Sequence, residues 1–137
     1  SVALAAAEKT LEILAETPAL AHIAEYGMKL RAGMSQILSQ RGIRHSFSGH
    51  PSMSGLFFSE KPPRDYRDWA SSDYTFYEAL APELHDLGVL CEPDSREPWF
   101  VCEAHDARCL AETLERFETA VDRVVNKNVG PGAARIV

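Results

Sequence analysis

A chain of 137 residues has the length of a single domain and at that size buries about two-thirds of the surface its unfolded form exposes. Its 45% hydrophobic and 25% charged residues are ordinary for a globular protein, and a net charge of -6 argues against the basic face a nucleic-acid partner requires. No apolar run approaches the roughly 20 residues of a membrane span and no signal-peptide pattern is present, so a cytoplasmic setting without membrane attachment is expected.

Residues 2–16 are rich in Ala, Leu and Glu, with no Gly or Pro among them, and predict a first helix on which Leu4, Leu11 and Leu14 share a face. A sequence that opens inside a helix reads as cut from something longer. Pro18 marks the break, with Thr17 as N-cap of the next helix. That second helix, about Ala19 to Gln40, carries one apolar stripe of Leu20, Ile23, Gly27, Leu30, Met34, Ile37 and Leu38, stepping by three and four. Glu25, Lys29, Arg31, Gln36 and Arg41 lie off that stripe and are expected to face water. Gly42 is its C-terminal stop.

From Arg44 to Ser59 the pattern becomes short β segments: one near His45–Ser48, the other from Met53 to Ser59, broken by Gly49 and Pro51. The second is apolar on both faces near its end, which predicts a central strand, and Gly55 within it signals close backbone approach or a bulge. The run EKPPRDYRDWASSD reads as an irregular charged loop anchored by Tyr66 and Trp69. Ser71, Ser72 or Asp73 caps a helix to about Leu87 with Phe76, Leu80, Leu84 and Leu87 on its apolar side. Pro82 predicts a kink or restart near Ala81.

Gly88 closes that helix. The next residues predict a short strand at Val89–Cys91, a polar loop with Asp94, Arg96 and Glu97, and a second strand at Trp99–Glu103. Pro93 and Pro98 stiffen the two ends of the loop, so it can hold Arg96 and Glu97 in fixed positions. Asp106 caps a last helix through about Asn126, with Leu110, Leu114, Phe117, Val121 and Val124 inward. Residues 127–137 have no periodicity and are expected to form a mobile tail. Helices and strands without regular βαβ alternation give an α+β class: a small, mainly antiparallel sheet with helices packed on one face.

The chemistry legible from the residues alone is sparse. Cys91, Cys102 and Cys109 are widely spaced and read as reduced thiols. Cys102, His105 and Cys109 lack a fourth ligand nearby in sequence, so no metal site is expected. None of the five histidines sits in a recognisable triad pattern, and no glycine-rich phosphate loop is present. Glu92, Asp94, Glu97 and Glu103 cannot all converge, because alternate strand residues point opposite ways. Arg96 and Glu97 remain as candidate ligand contacts, set against a plain solvated ion pair on a loop.

Five stretches in order, SVALAAAEKTLEIL, SFSGHPSMSGLFFSE, YRDWASSD, HDLGVL and EPWFVCEAHD, together resemble the C-terminal part of class III (fold-type I) pyridoxal-phosphate aminotransferases. The similarity runs over nearly residues 1–125 and is nearest the glutamate-1-semialdehyde aminomutase branch. It implies a connecting helix at 1–17 from a large domain outside this sequence, and a C-terminal small domain at 18–126. It also implies pyridoxal 5'-phosphate as cofactor, held mainly by that large domain, which supplies the Schiff-base lysine. No catalytic or cofactor-binding residue is then expected here.

Amino acid and keto acid or semialdehyde substrates, and a homodimer, follow from the same resemblance. The segment would close the substrate side of the active site and be inactive alone. Glu97 in EPWF matches the acidic position of the aminomutase-like E-x-x-F pattern, where relatives acting on ω-amino substrates carry arginine. Arg96 is the runner-up, for gripping a substrate carboxylate. Pro98-Trp99 depart from the small residues usual in aminomutases and leave room for a different amino acid as substrate. The alternatives are a free-standing α+β binding or regulatory module without cofactor, and a structural dimerisation domain.

Overall fold

The computed structural model describes residues 1–127. Eight elements succeed one another: α1 (Val2–Glu16), α2 (Ala19–Gln40), β1 (Ser46–Ser48), β2 (Met53–Phe57), α3 (Tyr66–Ala70), α4 (Tyr74–Asp86), β3 (Trp99–Phe100) and α5 (Ala107–Asn126). The tail expected at 127–137 falls outside the described residues from position 128 onward.

The three strands form one antiparallel sheet in the order β1-β2-β3, so β2 is central, as its apolar character predicts. Phe47 stands opposite Leu56, Ser48 opposite Gly55, and Ser54 opposite Trp99. A Cβ on Gly55 would lie 2.8 Å from Ser48 Oγ and 2.7 Å from the Phe57 ring, so what crowds this glycine is neighbouring side chains and not the backbone expected there. α5 packs against both α2 and α4. Leu30, Met34 and Leu38 of α2 share one core with Leu56 and Phe58, with Tyr77, Leu80 and Leu84 of α4, and with Trp99, Phe117 and Val121.

The helix ends depend on glycine. Gly42 and Gly88 take left-handed φ values of 64° and 81°. In each case two successive amides turn back onto the helix: Gly42 N–H to Ser39 O and Ile43 N–H to Leu38 O, then Gly88 N–H to His85 O and Val89 N–H to Leu84 O. These are paired C-terminal bonds that absorb two otherwise orphaned carbonyls. Side-chain caps close the other ends, with Asp65, Asp73 and Asp106 accepting amides at the starts of α3, α4 and α5.

Several expectations are corrected. Val89–Cys91 is not a strand: the Val89 amide is consumed by the α4 cap, and Leu90 is 94% exposed with nothing to pair against. The strand expected at Trp99–Glu103 shrinks to Trp99–Phe100, with one further bond from Val101 N–H to Ser52 O. Leu20 is exposed on the first turn of α2, where Ala19 is the one residue buried before Tyr26.

Arg31 and Arg41 do not simply face water. Arg31 reaches the β1–β2 hairpin, donating to Ser54 Oγ and to the carbonyls of Ser48 and Gly49. Arg41 reaches α5, where it meets Glu118 and Asp122. Finally, of the kink or restart expected at Pro82 the restart does not occur, since α4 is one continuous helix; the carbonyl of Glu78 that proline leaves unpaired belongs to an exposed residue and can be hydrated. Thr17 accepts the Ala19 amide at 3.4 Å, although Pro18 holds the N-cap position of α2.

Candidate functional site

Arg96 and Glu97 stand on the connection from α4 to β3, and this connection is pinned along its length. His85 Nε2 donates to Cys91 O at 2.5 Å. Tyr77, buried in α4, donates its hydroxyl to Glu92 O at 3.1 Å and accepts the Trp99 indole N–H at 3.0 Å. One phenol thus ties both ends of the loop to the core. Burial is the main reason its ionisation is pushed well up, so it acts as a neutral hydroxyl. Burial also lifts the Cys91 thiol to about 11, leaving it protonated and a poor nucleophile.

The tip is an Asx turn. Asp94 Oδ1 accepts the Arg96 amide at 2.9 Å, and the Glu97 amide donates to Asp94 O at 3.1 Å. The Arg96 guanidinium returns to the same carboxylate, with Nε 2.9 and 3.0 Å from its two oxygens and Nη2 also bonded. The Arg96 hydrogen bond holds the Asp94 carboxyl below its ordinary range, and Asp94 raises the guanidinium in turn. Arg96 further lies 4.9 Å above the Trp69 ring. Its charge is therefore engaged on two sides.

Glu97 is different. Its side chain is exposed, and its carboxylate has no ion-pair or hydrogen-bond partner among the described residues. The sequence brings the two candidates to one turn, and the structure separates them by occupancy: Arg96 answers Asp94, whereas Glu97 is free to meet something else. The charge available at this turn is negative. It attracts an ammonium or guanidinium group and repels a carboxylate.

The run at 60–73 is only half legible in the sequence. In place of a loop anchored by both Tyr66 and Trp69, it contains the short helix α3, and Tyr66 remains exposed. Trp69 is the anchor. Its indole donates to Ser95 Oγ at 2.8 Å and stacks on Tyr74 at 4.8 Å. Ser95, which the sequence offers no reason to single out, is among the few buried polar residues.

Two concavities adjoin the loop. One of about 370 Å³ is lined by His85, Cys91, Glu92, Pro93, Pro98 and Phe100. The other, about 230 Å³, lies toward α2 and α5 beside Tyr26, His105, Cys109 and Arg116. No lysine lines either. Lys9, Lys29 and Lys127 are paired with Glu12, Glu25 and Glu83. No described helix is long and apolar enough to cross a membrane.

No family model matches the chain. Among curated proteins it is 31% identical over 120 residues to the glutamate-1-semialdehyde 2,1-aminomutase of Aquifex aeolicus, covering 88% of this chain and 28% of that protein. The enzyme of the same name from Thermus thermophilus is 31% identical over 121 residues, with the same coverage. The chain thus spans 28% of the length of these relatives. Among solved structures, the pyridoxal-phosphate internal aldimine form of the Sphingopyxis sp. MTA144 FumI protein superposes on 96% of the chain. Its TM-score is 0.75 at 27% identity, and 28% of that protein is covered. An omega-transaminase from Sphaerobacter thermophilus shares the fold at TM-score 0.67 and 20% identity, over 76% of this chain and 24% of its own. By sequence and by fold together, the chain belongs to the pyridoxal-phosphate-dependent aminotransferases, in their glutamate-1-semialdehyde aminomutase-like branch.

Proposed function

We propose that residues 18–126 are the C-terminal small domain of an aminotransferase or aminomutase that acts on an amino acid, with residues 1–17 leading into it from a large domain. The observation that carries this reading is the superposition of 96% of the chain on 28% of the FumI protein solved in its pyridoxal-phosphate internal aldimine form. The form of α1 supports the division. None of its residues is buried, and Leu4 and Leu11 are 71% and 68% exposed, as expected of a helix whose packing partner is other polypeptide.

Pyridoxal phosphate is the cofactor on this reading, and it serves as the electron sink of the reaction. The described residues beside the loop do not fit it as a cradle: no lysine lines either concavity there, and no glycine-rich turn meets a described helix start. On this reading the large domain supplies the lysine and the phosphate site, and the 137-residue chain is inactive alone. Its own task is to close the substrate side of the cleft in a cytoplasmic homodimer that takes amino acid and keto acid or semialdehyde substrates.

Glu97 is the residue through which the domain reads its substrate. Its carboxylate, unpaired among the described residues, favours a substrate ammonium and disfavours a second substrate carboxylate nearby. Arg96, already bidentate on Asp94, is the weaker candidate. Replacing Glu97 with Ala in the full-length enzyme shifts substrate preference and leaves cofactor uptake intact. Loss of cofactor binding in that variant would contradict the assignment.

A further inference from the structure

We infer that Trp69 is a positioning residue for Glu97, so that α3, well upstream in the chain, sets where the substrate-facing carboxylate stands. This rests on the reading of Glu97 given above. Trp69 grips the two residues that immediately precede Glu97. Its indole N–H donates to Ser95 Oγ at 2.8 Å, and Ser95 is only 4% exposed, so the bond is made away from water. Its ring carries the Arg96 guanidinium at 4.9 Å and stacks on Tyr74, the first residue of α4, at 4.8 Å and 28°.

On the other side Glu97 precedes Pro98, which restricts the Glu97 backbone to extended conformations. Pro98 in turn leads into Trp99, held by Tyr77. Glu97 is thus fixed from both directions, and only its side-chain torsions remain free. The same contacts neutralise the alternative cation, because Arg96 is kept on Asp94 and over the indole. Trp69 in this way sets both the location and the sign of the charge presented at the turn.

The test uses the full-length enzyme loaded with pyridoxal phosphate. Trp69→Phe keeps a ring for stacking and removes only the N–H; Trp69→Leu removes both. Two readouts are taken. The first is the ratio of kcat/KM for a diamine donor to that for the ω-amino acid of equal length, which reports the carboxylate at the turn. Trp69→Phe lowers this ratio about threefold and Trp69→Leu about tenfold, mainly through KM, the size of one lost hydrogen bond. In a Glu97→Gln background neither substitution shifts it further.

The second readout is amide hydrogen exchange, which quickens about tenfold at Arg96 and Glu97 in Trp69→Leu and is unchanged in α5. Equal shifts in the ratio with and without Glu97, or loop exchange at the wild-type rate, would overturn the role given to Trp69. If Glu97→Gln itself leaves the ratio untouched, the substrate reading of Glu97 falls. The exchange rate then decides by itself whether Trp69 orders the turn.

Discussion

Gly27 shows how little room α2 leaves beside the hairpin. A Cβ there would stand 2.1 Å from the carbonyl oxygen of Pro51, which already accepts from Ser54 Oγ. Alanine improves helix propensity by roughly 0.5–1 kcal/mol, but overpacking against backbone costs about 1–3 kcal/mol, so the clash wins. Gly27→Ala is expected to lower the urea midpoint at an unchanged slope. Tyr77→Phe removes the hydroxyl shared by Trp99 and Glu92, leaving a buried indole N–H without its acceptor, at a cost of about 1–3 kcal/mol. Equilibrium unfolding checks this, and a stability equal to wild type would remove Tyr77 as the anchor of the loop. Glu97 was legible in the sequence as a candidate because two prolines and a charge run frame it. Ser95 was not, since a serine in a polar loop carries no sign of burial; its partner Trp69 lies 26 positions away.

Among the elements, the long helices were legible to within a residue, because apolar spacing and caps agree. α2 and α5 run as their stripes and the Gly42 and Asp106 signals predict. The short strands were not. Val89–Cys91 has strand-like composition, yet the two amides after α4 belong to a helix cap, a competition that propensity cannot weigh. Arg41 likewise reads as a wet residue by periodicity, while its length lets it cross to α5 and bond Asp122 with Nε at 2.5 Å and Nη2 at 2.9 Å. Those hydrogen bonds hold the Asp122 carboxyl below its ordinary value of 3.8. A depressed folded-state pKa means the stabilisation is complete above 3.8 and is lost as pH falls through the lower folded value. Its size is modest, because half of the Asp122 side chain is in water and screens the pair. Asp122→Asn is therefore expected to flatten part of the loss of stability below about pH 4, read as urea midpoint against pH, with little effect on its slope near neutrality.

On the scale of the whole molecule, the proposed division of labour rests on what the described residues hold. They form a well-packed core, a pinned turn whose Glu97 carboxylate has no partner among them, and a first helix that none of them buries. The α+β class was legible because strands and helices group without regular alternation. The family was legible only from several weak stretches occurring in order, since no single motif here carries chemistry. The most direct measurement is a visible-absorbance titration of pyridoxal phosphate into the full-length protein and, in parallel, into the 137-residue chain. The account predicts a saturable band shift from covalently held cofactor with the full-length protein and none with the chain alone. Stoichiometric uptake by the isolated chain, or none by the full-length protein, would contradict it.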